Sequence, residues 1–150
     1  MANANILPEL QSTLLALRSQ IVTALAFEIG TYTFPDDTTD PAIAMLGLGS
    51  GVEIYPPQGT TVTGLEVVLV TLNSIRIEQR LDGIVQNVVT QIFLKQFDTS
   101  KNIIVPLFKL LNVIDIDGNP IRTVSDPYIG NIETCQMQIL HSFYTDTGDL

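Results

Sequence analysis

The sequence predicts a single α+β domain, and three observations lead to this class. A length of 150 residues suits one domain with its own hydrophobic core. Apolar residues recur at steps of three and four over residues 6–26, which is the period of an amphipathic helix. Runs rich in Val, Ile and Leu at residues 65–72 and 85–97 instead predict strands. Because runs of strands lie between isolated helices, the order favours α+β over a doubly wound sheet.

The first helix is predicted over residues 6–26. Pro8 suits its first turn, where the missing backbone N–H would have no partner within the helix. One apolar stripe runs along this helix and is expected to face the core. Its residues are Leu7, Leu10, Leu14, Leu17, Ile21 and Leu25.

Strands are predicted along most of the remaining chain. Short strands are expected at residues 32–34 and 42–48, with a return strand at 52–55. The strongest strand signals are the runs 65–72 and 85–97, and further strands are expected at 121–124 and 133–144. Residues 75–81 alternate apolar and charged side chains, and they predict either a strand or an irregular connector.

A second helix is predicted after residue 100. Asp98, Thr99 and Ser100 offer side-chain oxygens that commonly cap helix N-termini. Pro106 lies inside the apolar run that follows, so we expect it to kink the helix or to delay its start to about Val105.

Two segments are predicted to extend from the 1–150 domain. Residues 44–63 are punctuated by Gly and Pro, and we expect an extended loop or hairpin arm there, with a plain loop as the alternative. Residues 145–150 are expected to form a loose acidic tail.

The composition points to surface that serves as an interface. Apolar residues make up 45% of the chain and charged residues only 15%, against about 25% charged residues in an average soluble domain. Little charge is therefore left to cover the outside, and uncharged or apolar surface often becomes an interface. A net charge of −9 disfavours binding to the phosphate backbone of nucleic acid.

The chain carries no signal for secretion or for a membrane span. Cys135 is its one cysteine, so an intrachain disulfide is excluded and assembly in a reducing cytosol is expected. Residues 1–30 lack the layout of a signal peptide, and no run of about 18 apolar residues is present.

Two segments resemble ligand-binding loops, one rich in glycine and one in acidic residues, but neither matches the full pattern of such a loop. Residues 47–51 read Gly-Leu-Gly-Ser-Gly, but a strand-like segment and two prolines follow them, whereas a phosphate loop leads into a helix. Asp115, Asp117 and Asn119 resemble the start of a calcium loop, yet Gly118 is fourth instead of sixth and Asp126 stands at the twelfth position. A hairpin tip and a tight turn are the predicted structures.

No catalytic, cofactor-binding or metal-binding residue is predicted. His141 is the one histidine; it is expected on a strand and partly exposed, and no serine lies in a nucleophile motif that would complete a triad. Cys135 alternates with core positions and is predicted to be a small buried side chain. Asp36, Asp37 and Asp40 predict a solvated acidic loop rather than a cation site.

Three segments resemble one group of proteins. They are residues 55–70 (YPPQGTTVTGLEVVLV), residues 93–101 (FLKQFDTSK) and residues 130–133 (GNIE). They resemble small proteins from the structural gene blocks of cyanobacterial phages and prophages. These proteins are similar in layout to the tail-terminator and neck proteins of long-tailed phages, and the resemblance spans residues 6–145. It implies an N-terminal helix, a mainly antiparallel sheet, a second helix packed on that sheet, and closing strands.

The resemblance also implies a function. Tail terminators form hexameric rings at the head-proximal end of the tail, stop the polymerisation of tube and sheath, and dock to the neck. The expected partners are therefore copies of the chain and the tube, sheath and neck proteins of the virion, assembled in the host cytoplasm, with no membrane. DNA would pass through the lumen without sequence-specific binding, which suits an acidic chain. The residues predicted to meet neighbours are Leu48, Val52, Ile54, Tyr55, Pro56 and Pro57.

Other classes of function stay open. The nearest is another ring-forming virion protein, such as a head-completion adaptor or a tube protein, and a tube protein would stack without an end. A small ligand-binding or enzymatic α+β domain would instead have a concave pocket with converging titratable groups. A toxin-immunity or regulatory module would bind one partner tightly.

Overall fold

Two helices and two sheets make up the part of the chain that the structure describes. The computed structural model describes residues 6–47, 54–72, 74–113, 120–123, 133–146 and 148. In chain order the elements are α1 (Leu7–Ala24), β1 (Thr31–Thr33), β2 (Thr39–Pro41), β3 (Ile43–Gly47), β4 (Thr61–Thr63), β5 (Leu65–Thr71), β6 (Arg76–Arg80), β7 (Gly83–Gln96), α2 (Ile104–Leu110), β8 (Arg122–Thr123) and β9 (Glu133–Asp146).

The larger sheet has the strand order β3-β5-β7-β9-β8, and β6 also pairs with β7. All of these pairs are antiparallel except β3 with β5. The predicted α+β class, with a mainly antiparallel sheet and two helices, is therefore confirmed. The segment left open at residues 75–81 is largely strand β6, which joins β7 through the two-residue turn Leu81-Asp82.

The pairing of β7 with β9 is the longest in the protein. It continues for 14 residues, from Gly83 opposite Asp146 to Gln96 opposite Glu133. Successive side chains of a strand point to opposite faces of the sheet, so each strand divides into two sets. One set, which includes Ile92 and Met137, is buried under the helices, and we call the opposite side of β7 and β9 the outer face.

Both helices pack on the same face of the large sheet. The predicted stripe of α1 is buried from Leu10 to Leu25, although Leu7 at its start is exposed. In α2 the buried side chains are Pro106, Leu107 and Leu110. The helices and the sheet thus share one continuous hydrophobic core.

The second sheet, with the order β2-β1-β4, packs on the side of β3 and β5 that faces away from the helices. Its strand β4 runs into β5 through a single residue, Gly64, whose φ of 81° is strained for any residue with a Cβ atom. Tyr32 in β1 is buried and donates a hydrogen bond from its hydroxyl to Glu66 Oε2 in β5, at 2.7 Å. Ala42 and Ala44 pack beside Tyr32 and form a small second core.

The cap of α2 differs from the prediction. Asp98 does not cap the helix; its Oδ1 accepts hydrogen bonds from the N–H and the hydroxyl of Ser100 and so closes a local turn. The N-cap is Ile103, whose N–H donates to Glu133 Oε2 of β9 at 2.6 Å. The helix begins at Ile104, within one residue of the predicted start near Val105. Pro106 is its third residue, where the backbone N–H has no partner within the helix, so the proline interrupts no helical hydrogen bond.

The end of β9 lies further along the chain than the predicted strand. Thr145 and Asp146, which the sequence analysis assigns to the acidic tail, are the last two residues of β9, and Thr145 is buried. No helix in the described parts of the chain is both long and apolar enough to cross a membrane.

The Tyr32–Glu66 hydrogen bond holds the second sheet on the first, and Tyr32→Phe tests its contribution. The substitution removes the hydroxyl and is expected to lower the free energy of unfolding by about 1–2 kcal/mol at pH 7, a usual range for a hydrogen bond to a carboxylate. Urea unfolding followed by circular dichroism measures the change. Tyr55→Phe is the matched control, because the Tyr55 side chain is exposed.

The same variant predicts a dependence on pH. Burial, and then the hydrogen bond to Glu66, raises the pKa of Tyr32 in the folded protein above its usual value of about 10. The stabilisation from Tyr32 is therefore complete below pH about 10 and is lost as the pH rises above that value. The difference in stability between the wild type and Tyr32→Phe should narrow in this range, and a constant difference would contradict the assignment.

Candidate interaction surfaces

The predicted interface residues fall into three groups. Leu48 and Val52 lie outside the described residues. Ile54 exchanges backbone hydrogen bonds with Met45 at 2.8 and 3.0 Å and packs half-buried against the core of its own chain. Tyr55 and Pro57 are exposed and Pro56 is half-buried.

The predicted arm at 44–63 overlaps both sheets. Residues 44–47 belong to β3, and residues 61–63 belong to β4. Between them, Ile54 bridges to β3, and residues 55–60 lie outside the strands. Within the described part of this segment, Tyr55, Pro57, Gln58 and Gly59 are the exposed residues before β4.

Four exposed apolar side chains lie together on the helical side of the protein. Phe27 follows α1 and is 91% exposed, and Phe108 on α2 is 61% exposed. Ile104 and Val105 lie on α2 opposite its buried side chains. We call Phe27, Ile104, Val105 and Phe108 the helical patch. An aromatic side chain with this much exposed area gains considerable free energy when a partner covers it.

Charged groups border the helical patch without entering it. Lys109 on α2 forms a salt bridge with Glu28 of the turn after α1, and its ammonium group also lies 5.8 Å from the centre of the Phe27 ring. Beside this pair is a groove of about 330 Å³ whose apolar wall is formed by Phe27, Val105 and Pro106. The salt bridge fixes the turn after α1 against α2, so Phe27 is held next to Val105.

The outer face of β7 and β9 is uncharged over five successive cross-strand pairs. The exposed residues Gln138, Leu140 and Tyr144 project from β9 on this face. No side chain in these five pairs carries a charge, although the chain has a net charge of −9. The pairs are Val85–Tyr144, Asn87–Ser142, Val89–Leu140, Gln91–Gln138 and Phe93–Gln136.

Strand β6 is the most exposed helix or strand among the described residues. Every residue of β6 is exposed, so neither side of this strand is covered by the described part of the chain. Ile77 in the strand is 65% exposed, and Leu81 in the turn is fully exposed. Apolar side chains at such positions are typical of surfaces that meet another protein.

His141 is buried, and the prediction that it is partly exposed is wrong. It lies on the core side of β9 with no exposed surface. Its Nε2 is 2.7 Å from the Thr90 hydroxyl on β7, which in turn is 2.9 Å from the Thr71 hydroxyl on β5. The three side chains form a row of buried polar groups across the three central strands, and this arrangement favours a structural role for His141.

Cys135 belongs to the core, and Asp36 and Asp40 each have a polar partner within the chain. Cys135 is buried on the core side of β9, as predicted. Asp36 Oδ1 accepts hydrogen bonds from the hydroxyl and the N–H of Thr38, which lower the pKa of Asp36. Asp40 lies 3.9 Å from Arg18. Within the described residues no three acidic, His or Cys side chains converge as a metal site, whereas Asp115, Asp117, Asn119 and most of the glycine-rich loop lie outside them.

No protein-family model, curated protein or solved structure matches the chain. The resemblance to phage tail proteins therefore stays a prediction. Neither the helical patch nor the outer face was predicted from the sequence as an interaction surface. The alternation Cys135–Met137–Ile139 carries on to residue 141 and was the available signal that Gln138 and Leu140 lie on the outer face.

Thr90 is the central residue of the buried polar row. Removing its hydroxyl should lower the free energy of unfolding more than removing the hydroxyl of Thr71 at one end of the row. Thr90→Val leaves both the His141 nitrogen and the Thr71 hydroxyl without this partner, so we expect the free energy of unfolding to fall by about 2–3 kcal/mol. Thr71→Val, the matched control, removes one contact and is expected to cost about 1 kcal/mol. Urea unfolding measures both, and equal losses would contradict the arrangement.

Proposed function

We propose that the chain is a structural subunit of a tailed-phage virion, a tail terminator that closes into a ring at the head-proximal end of the tail. In this role it ends the polymerisation of tube and sheath and docks to the neck. The sequence resemblance supports the proposal at the level of family, and the arrangement of the helical patch and the uncharged outer face supports it at the level of geometry.

The observation that matters most is that the helical patch and the outer face lie on opposite sides of the protomer. The helices pack on one face of the large sheet, with the helical patch turned away from it, and the outer face is the other side of the same sheet. A closed ring requires two different surfaces on each subunit, because every contact is head-to-tail. One subunit of this shape meets two neighbours without using the same surface twice.

Charge favours copies of the chain as the occupants of these surfaces. Two copies that each carry a net charge of −9 repel one another, and the repulsion is least where neither surface is charged. The outer face offers such an area, and the helical patch supplies aromatic side chains to cover it. In the proposed ring the helical patch of one copy contacts the outer face of the next.

The predicted arm adds a second contact in this proposal. Tyr55 and Pro57 are exposed beyond the edge strand β3, to which Ile54 is bridged, and they extend the reach of the protomer towards a neighbour. Leu48 and Val52 belong to the same segment in the prediction. A ring would also place acidic side chains towards a lumen through which DNA slides without being bound.

Two substitutions on opposite sides of the protomer test the ring. Phe108→Glu adds a charge to the helical patch, and Leu140→Glu adds one to the outer face; each is expected to abolish the ring and so to lower the assembled mass. Ser12→Glu, an exposed change on α1, is the control and should leave the ring intact. Light scattering measures the mass, and negative-stain imaging counts the subunits of the wild-type ring.

Mixing the two variants separates a head-to-tail contact from a symmetric one. The intact helical patch of the Leu140→Glu chain still fits the intact outer face of the Phe108→Glu chain. An equimolar mixture should therefore pair the two variants one-to-one through this contact and form no ring. A wild-type mass of 16.4 kDa at every concentration, or variants that assemble as the wild type does, would contradict ring formation by the chain alone.

A further inference from the structure

The free edge of β6 has a sequence that is complementary to itself. In the described residues β7 is the strand that pairs with β6, and the opposite edge of β6 carries unpaired backbone groups. We infer that this edge binds the β6 edge of a second copy, antiparallel and across a two-fold axis, so that the large sheets of two protomers join. The contact is independent of the proposed ring, which uses other surfaces.

The hairpin geometry determines which backbone groups are available. Arg80 pairs with Gly83 across the two-residue turn, so these two residues exchange hydrogen bonds. Hydrogen-bonded and non-hydrogen-bonded pairs alternate along an antiparallel ladder. The N–H and C=O groups of Ile77 and Gln79 therefore point to the free edge, and a second strand must bond to these residues.

Only a few registers join two such edges, and charge separates them. When the two-fold axis passes through Ile77, Arg76 of each copy faces Glu78 of the other, and Ile77 faces Ile77. When the axis passes through Glu78, Glu78 faces its own copy and Arg76 faces Arg80, so all charged pairs repel. Opposite charges directly across a strand pair stabilise it, and like charges destabilise it.

A third register, with the axis at Gln79, is shorter. It matches Glu78 with Arg80, but its next pair uses Leu81, which lies in the turn and leaves the strand. The register centred on Ile77 instead continues over exposed residues from Ser74 to Arg80 and matches Ile75 with Gln79. The β6 edge thus favours a second copy in the register centred on Ile77. In this register the ion pairs lie on one side of the joined sheet and the isoleucines lie on the other.

Exposure in the protomer is consistent with this contact. All five residues of β6 are exposed, and Ile77 keeps 65% of its surface open to water. Glu78 lies 3.5 Å from Arg80 within the protomer, an exposed ion pair of the kind that contributes little. Pairing with a second strand covers Ile77 and supplies Glu78 with Arg76 of the second copy.

Disulfide formation at two neighbouring positions tests the register. Opposite residues in a hydrogen-bonded antiparallel pair have Cα atoms about 5.5 Å apart, which suits a disulfide. Ile77→Cys is therefore expected to form a covalent dimer on mild oxidation. In the same register the two copies of residue 79 are separated by roughly 13 Å, so Gln79→Cys should not cross-link. The wild-type chain, with Cys135 buried, is the blank.

Charge reversal in the Ile77→Cys chain tests the ion pairs. Arg76→Glu alone and Glu78→Arg alone should each reduce the cross-linked fraction, with self-association weakened about tenfold. The double variant Arg76→Glu/Glu78→Arg restores opposite charges in both pairs and should recover dimer. An equimolar mixture of the two single reversals should recover it too, which shows that neither variant is misfolded.

Two results would overturn the inference. One is cross-linking at residue 79 equal to that at residue 77. The other is a cross-linked fraction that charge reversal does not change or that the double variant does not restore. Neither result bears on the helical patch, so failure of the two-fold contact is distinguishable from failure of the proposed ring.

Discussion

The rest of the structure depends on the 14-residue ladder between β7 and β9. It creates two extended faces at once, because side chains alternate along both strands. One face collects the apolar side chains that both helices cover, and the buried row Thr71–Thr90–His141 crosses the same side. The other face carries the uncharged outer surface, and on the same side of the large sheet the β2-β1-β4 sheet packs against β3 and β5. Core and candidate interface are therefore two sides of a single pairing.

Much of this fold was predictable from the sequence because its periods are strong. The stripe from Leu10 to Leu25 predicts α1, and the β-branched runs predict β5 and β7 within a few residues of their ends. The predicted delay of α2 to about Val105 agrees with its start at Ile104, but the predicted cap was wrong, because Asp98 bonds to Ser100 instead. The group that binds the Ile103 N–H is Glu133, 30 residues away, and such a contact has no local signal.

The candidate surfaces were harder to predict than the fold. Interface residues were expected near the glycines and prolines of 44–63, where composition changes most clearly. The helical patch instead combines Phe27 with three residues of α2 that are remote in sequence. His141 was expected to be partly exposed because it is polar, yet the alternation that buries Cys135, Met137 and Ile139 also buries residue 141. In β9 the two-residue alternation of side chains predicted the burial of residue 141 better than the polarity of histidine did.

The physical basis of the proposal is a protomer with few charged residues, which has an aromatic patch on one side and an uncharged sheet face on the other. The most direct test of the terminator role is the position of the chain in a tailed particle. Gold-labelled antibodies against the chain, imaged by electron microscopy on intact particles, measure that position. The account predicts label at the head–tail junction and nowhere along the tube. Label along the tail, at its distal end or on the head would contradict it.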